Sequence, residues 1–120
     1  MSDNYALDGQ IPVLVKDDRE WAKWFETAER HVNETYMFGG AWVSTVFLGL
    51  DHSFGTGRPV LFETMIFGGR HDEYQERYHT WEEAEAGHKT AIRMEEGTDW
   101  QFFLTLMKAA FGPTKTKEAQ

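Results

Sequence analysis

Two apolar runs rich in β-branched and aromatic residues, 42–50 and 60–67, constrain the fold of this chain more than any other feature. Both runs lack helical periodicity and are bounded by glycine or proline, which is typical of β-strands. The nine residues between them, DHSFGTGRP, hold two glycines and one proline, the residue types that turn a chain. This order predicts an antiparallel hairpin.

A loop centred near Gly55 places Val46 opposite Thr64 in that hairpin. Because side chains alternate across a strand, this register divides the hairpin into two faces. The predicted core face carries Trp42, Ser44, Val46, Leu48, Leu50, Val60, Phe62, Thr64 and Ile66. The predicted second face carries Val43, Thr45, Phe47, Leu61, Glu63, Met65 and Phe67.

The second face is largely apolar although it includes a carboxylate. We therefore expect another element to cover it, another copy of the chain to pack on it, or a partner to bind it. The residues that we assign to this interface are Phe47, Glu63, Met65 and Phe67.

Three segments begin with a capping residue followed three positions later by Glu or Gln, which predicts the start of a helix. The pairs are Asp17 with Glu20, Thr80 with Glu83, and Thr98 with Gln101. Apolar residues then recur at helical spacing after each pair. We predict a first helix that includes Val32, a second that ends at Gly97, and a third that ends at Gly112 and Pro113.

The remaining segments complete an α+β domain. Residues 74–80 alternate as a third strand does, and residues 11–15 are compatible with an N-terminal edge strand. We expect a flexible N-terminus over 1–10, a single domain over 11–112, and a flexible tail over 113–120. The predicted fold is a small antiparallel sheet, formed by the hairpin and the third strand, covered by three helices.

Composition excludes several function classes. Cysteine is absent, which removes disulfides, thiolate catalysis and cysteine-rich zinc sites. The net charge of -8 argues against nonspecific binding to nucleic acid, because phosphates require a basic patch. The sequence contains no run of about 18 apolar residues, which is the pattern that predicts a membrane-spanning helix. These features favour a cytoplasmic protein without a membrane partner.

The loop between the two strands is the most suggestive segment for ligand binding. Its glycines allow the backbone to approach a ligand, and Arg58 is suited to a phosphate or a carboxylate. The residues that we assign to a candidate ligand site are Asp51, His52, Arg58, Tyr78 and His88. The alternative is an ordinary hairpin loop, with His88 as a hydrogen-bonded core residue.

An enzymatic function has weaker support in the sequence. His52, Glu63 and His88 are candidates for acid/base or metal-ligand roles, although Glu63 is also suited to pairing with an Arg or Lys of the chain. Glu85 and His88 form a single Glu-x-x-His pair, whereas di-iron bundles use two. No nucleophile has an identifiable activating base. We therefore predict no catalytic residues, no metal and no cofactor.

Three segments carry a resemblance to known sequences: WAKWFETAERHV, WVSTVFLGLDHSFGTGRPVLFETMIFGG and YQERYHTWEEAEAGH. Together they resemble a family of small, uncharacterised proteins encoded by tailed bacteriophages and prophages, over roughly residues 20–90. The resemblance implies a phage-encoded accessory protein that acts in the cytoplasm of a bacterial host. It implies no particular reaction, cofactor or catalytic residue.

The leading hypothesis is a non-enzymatic binding protein of phage origin that interferes with a host process. It would bind a host protein or sequester a small, phosphate-containing signalling molecule. One alternative is a small hydrolase or metal-assisted enzyme that uses His52, Glu63 and His88, and another is a structural or assembly component of the virion. A homodimer formed through the second face is compatible with each of these roles.

Overall fold

The computed structural model describes residues 3–55 and 57–111, and in the last helix it describes side chains as far as Gly97 and at Lys108. This part of the chain forms two antiparallel sheets and two helices. Neither helix, over its described residues, is long and apolar enough to cross a membrane. The elements are β1 (Tyr5–Asp8), β2 (Ile11–Leu14), α1 (Asp18–Thr27), β3 (His31–Tyr36), β4 (Trp42–Phe47), β5 (Phe62–Phe67), β6 (Gln75–Tyr78) and α2 (Trp81–Phe111).

The α+β class is present, but the predicted architecture of three helices over one small sheet is wrong. The strands form a two-stranded sheet, β1-β2, and a four-stranded sheet in the order β3-β4-β5-β6. The central hairpin and the third strand of the prediction correspond to β4, β5 and β6. Two further strands, β1 and β3, were not predicted from the sequence.

The N-terminal segment is a strand rather than the expected loose end. β1 pairs with β2 through a tight turn in which Gly9 has a positive φ of 66°, a conformation that glycine adopts without steric cost. The side chain of Ala6 is buried, and the Tyr5 amide donates to the Gly49 carbonyl at 2.8 Å. These contacts fix the small sheet to the segment that follows β4.

The register of the central hairpin is shifted by one residue from the prediction. Val46 lies opposite Glu63, and Phe47 lies opposite Phe62. The predicted register assumed a symmetric loop, whereas Gly49 adopts a positive φ of 84° and Leu50 leaves the ladder to pair with Asn4. Extra residues on this arm of the loop move the pairing by one position, and a shift of one residue exchanges the faces of a strand.

The exchange of faces applies to β4 alone. Its residues Val43, Thr45 and Phe47 were assigned to the second face, yet each is completely buried under the helices. Conversely, Trp42, Ser44 and Val46 lie on the opposite side, next to the odd-numbered residues of β5. The interior residues of β5, which are Phe62, Thr64 and Ile66, match the prediction.

The helices also depart from the expected boundaries. α1 ends at Thr27, where Ala28 becomes extended, and the chain continues as β3 through Val32. α2 runs from Trp81 to Phe111 without a break at Gly97. One glycine costs about 1 kcal/mol in a helix interior, which is too little to end a helix flanked by good helix formers.

All of the described covering elements pack on one side of the four-stranded sheet. α2 places Ala91 against Val43 and Ile66, and it places Ala84 in a second cluster with Phe47 and Phe62. That second cluster also receives partly buried side chains from β1 and α1, including Leu7 and Trp24. The other side of the sheet, called the open face below, carries no described helix.

Candidate functional site

The loop after β4 uses its acidic residue to hold its own backbone. Asp51 Oδ1 accepts hydrogen bonds from the Ser53 amide at 2.8 Å and from the Val60 amide at 2.9 Å. Burial alone raises the pKa of Asp51, but these hydrogen bonds outweigh burial, so its pKa lies below the usual value. The His52 ring donates from Nδ1 to the Leu50 carbonyl at 2.8 Å. Both side chains therefore stabilise the turn.

The five predicted ligand residues do not converge on one site. Arg58 is exposed on the loop. The Tyr78 hydroxyl and the His88 ring are buried between the sheet and α2. The loop contacts the segment before α2 at His79, whose Nδ1 lies 2.8 Å from the Pro59 carbonyl.

The three residues of the enzyme hypothesis are separated as well. His52 lies in the loop, Glu63 lies on the open face, and His88 lies on the helix-covered side of the sheet. Glu63 accepts from Arg77 Nε at 3.0 Å and from the Gln75 side-chain amide. The alternative in which Glu63 pairs with an arginine of the chain is confirmed.

The buried His88 belongs to a hydrogen-bonded chain with two buried threonines and one partly buried threonine. Its Nδ1 lies 2.7 Å from Thr45 Oγ1, and its Nε2 lies 2.9 Å from Thr35 Oγ1. Thr45 Oγ1 lies in turn 2.5 Å from Thr64 Oγ1. Burial lowers the pKa of His88, which favours the neutral ring, the form in which one nitrogen donates and the other accepts. This network joins α2 to β3, β4 and β5.

A glycine in α2 makes room for the tyrosine of β6. A Cβ atom added to Gly87 would lie 2.0 Å from the Tyr78 hydroxyl and 2.2 Å from Tyr78 Cζ. The hydroxyl is buried beside Thr64 without a well-formed hydrogen bond, and burial raises the pKa of Tyr78. Gly87 therefore packs directly against the aromatic ring of Tyr78.

Three aromatic rings cross the open face from strand to strand, and we call them the aromatic row: Tyr36, Trp42 and Phe67. Tyr36 lies opposite Trp42, and Trp42 lies opposite Phe67, so the antiparallel register brings the rings side by side. Tyr36 stacks on Trp42 with a centroid distance of 5.7 Å and an interplanar angle of 3°, and Trp42 lies 5.0 Å from Phe67.

The two outer rings of the aromatic row are exposed, and Trp42 between them is partly buried. Tyr36 is 74% exposed, Phe67 is 41% exposed, and Phe38 in the adjoining turn is fully exposed. Contiguous apolar patches of this kind mark interaction sites more often than scattered single residues do. The open face beside this row is the candidate functional site.

The predicted interface is partly correct in its placement. Glu63, Met65 and Phe67 lie on the open face, whereas Phe47 is completely buried on the other side because of the register shift. Tyr36 and Trp42 were missed, since the segment around Val32 was assigned to a helix. The glycine pair 39–40 between two β-rich segments was a hairpin signal that would have placed both rings on neighbouring strands.

No protein-family model matches the chain, and no match was found among curated proteins or solved structures. The contacts and the exposed surface of the chain itself therefore carry the functional inference. Within the described residues, no group of three or more His, Cys, Asp or Glu side chains is arranged to hold a metal ion.

Proposed function

We propose that this chain is a non-enzymatic binding protein whose open face holds a protein partner. The observation that carries the proposal is the exposed aromatic row on the side of the sheet opposite α2. Tyrosine and tryptophan dominate the binding energy of protein interfaces because they bury a large area with few rotatable bonds.

The open face is supported by a rigid scaffold. Beneath it, the Thr45, Thr64 and His88 contacts lock the sheet to α2, and at its centre Glu63 is held by Arg77 and Gln75. A surface that is already ordered loses little conformational entropy on binding, which favours affinity. Such a surface suits a binding protein that presents fixed aromatic side chains to a partner.

The biological setting of the proposal comes from the resemblance to phage and prophage proteins. We place the chain in the cytoplasm of a bacterial host, as an accessory protein that interferes with a host process by occupying a host protein. Capture of a small phosphate-containing molecule is less favoured, because Asp51 and His52 are engaged in the turn and His88 is engaged with two threonines.

The proposal predicts that a double variant, Tyr36→Ser with Phe67→Ser, loses its partner. Tagged full-length chain is expected to retain a host protein from a bacterial lysate, and the double variant is expected to retain at least about tenfold less, since hot-spot residues cost about 2 kcal/mol or more each. Quantitative mass spectrometry of the retained proteins measures the difference.

Phe54→Ser is the matched control for that experiment. Phe54 is 79% exposed, but it lies in the loop after β4 and not on the open face. The control variant should retain the same protein as the unmodified chain. Equal retention by the double variant, with its fold verified by thermal unfolding, would show that the aromatic row is not the binding surface.

A further inference from the structure

A carboxylate is fixed at the edge of the aromatic row. Trp42 Nε1 donates to Glu34 Oε1 at 3.2 Å, and Glu34 and Tyr36 lie on the same side of β3 because they are two residues apart. The Glu34 side chain is 40% exposed. An exposed ring and an accessible carboxylate therefore lie next to each other on the open face.

The charges around these two groups are mainly negative. Glu29 is 78% exposed and accepts from the His31 ring at 3.1 Å, and the other ring nitrogen of His31 lies 3.8 Å from Glu34. The cation on the open face, Arg77, is already paired with Glu63. Arg70 is exposed in the turn that follows Phe67, and the whole chain carries a net charge of -8.

We propose that the partner contributes an arginine side chain that stacks on Tyr36 and pairs with Glu34. This inference rests on the proposed function and adds the chemistry of the partner. A guanidinium group is planar, so it lies flat on an aromatic ring while its N–H groups reach a carboxylate at the ring edge. The partner is thus a protein with a basic, arginine-bearing surface.

A second copy of the chain suits this face less well. A symmetric dimer would bring the same acidic edge of each copy to the interface and would join two chains of net charge -8. A basic partner gains from the same charges that oppose self-association.

The test uses an arginine–glycine repeat peptide as the probe and the full chain as the target. The five tryptophans give separate indole N–H signals in a nitrogen-15 correlation spectrum, and Trp42→Phe identifies the signal of Trp42. Titration with the peptide is expected to shift that signal. Tyr36→Ala and Glu34→Gln should each weaken binding about tenfold, which corresponds to about 1.4 kcal/mol.

Two controls separate the site from general charge attraction. Glu76→Gln removes an exposed carboxylate from β6, on the other side of the sheet, and should leave the peptide affinity unchanged. A lysine–glycine repeat of equal length and charge should bind at least about threefold more weakly, because an ammonium group cannot stack as a planar guanidinium does.

Several results would overturn the inference. The Trp42 signal could stay in place during the titration, or Glu76→Gln could lose as much affinity for the arginine peptide as Glu34→Gln does. The lysine peptide could bind as tightly as the arginine peptide. Sedimentation could show a dimer that Tyr36→Ala dissociates. If the host protein is lost from the double variant while the arginine peptide shows no specific binding, the proposed function stands and this inference fails.

Discussion

Replacing Gly87 by alanine is expected to destabilise the folded chain by up to about 2 kcal/mol, even though alanine is the better helix former. The new methyl group would occupy the position of the Tyr78 ring, with distances of 2.0 to 2.4 Å to three of its atoms. Overpacking of this kind costs about 1–3 kcal/mol, and the helix propensity of alanine offsets about 1 kcal/mol of that loss. Urea denaturation measures the change.

The same substitution at the next glycine of the helix provides a matched control. A Cβ atom added to Gly97 meets no described atom within 4 Å, so Gly97→Ala should stabilise the chain by up to about 1 kcal/mol. The two variants are expected to shift the urea midpoint in opposite directions. In a Tyr78→Ala background, Gly87→Ala should lose its cost; a cost that persists there would contradict the role assigned to Tyr78.

Replacing His88 by leucine is expected to lower the free energy of unfolding by about 1–3 kcal/mol. Leucine has a similar size, but it leaves Thr35 without its ring partner and leaves Thr45 with Thr64 alone. A buried hydroxyl that loses its partner costs about 1–3 kcal/mol, and here Thr45 is completely buried whereas Thr35 is partly buried. Urea denaturation at constant pH measures the loss.

The interaction between His88 and Thr45 can be isolated with a second substitution. Thr45→Val keeps the shape of the side chain and removes the hydroxyl, so combining it with His88→Leu replaces both partners of the 2.7 Å hydrogen bond. The double variant should lose less stability than the two single losses added together, with a coupling of about 0.5–3 kcal/mol. Strict additivity would mean that the hydrogen bond between His88 and Thr45 does not contribute to stability.

The sequence was sufficient to predict the central hairpin but not its register. β4 and β5 could be recognised because they are rich in β-branched and aromatic residues, which favour strands. The register depends on how many residues the loop removes from the ladder. Gly49 leaves the ladder through a contact with Tyr5 of β1, and Leu50 leaves it by pairing with Asn4, which precedes β1. Those contacts are distant in sequence, so local patterns contain no information about them.

The candidate site was predicted only in part, because two of its rings depend on a strand that the local sequence pattern did not reveal. Met65 and Phe67 were placed on an apolar second face from strand alternation alone, and they lie on the open face. Tyr36 and Trp42 require β3, a segment in which Val32 continues the apolar spacing of α1 and suggests a longer helix. The buried threonine network was missed because a threonine within a strand pattern does not reveal which face it occupies.

Hydroxyl-radical footprinting of the free monomer tests the central claim, that α2 covers one face of the sheet and leaves the aromatic row uncovered. Tyr36 and Phe38 should be oxidised rapidly, whereas Phe47 and Phe62, which are completely buried, should remain unmodified until the chain unfolds. Protection of Tyr36 in the monomer, or oxidation of Phe47 at a rate comparable with that of Phe38, would contradict the assignment of the two faces.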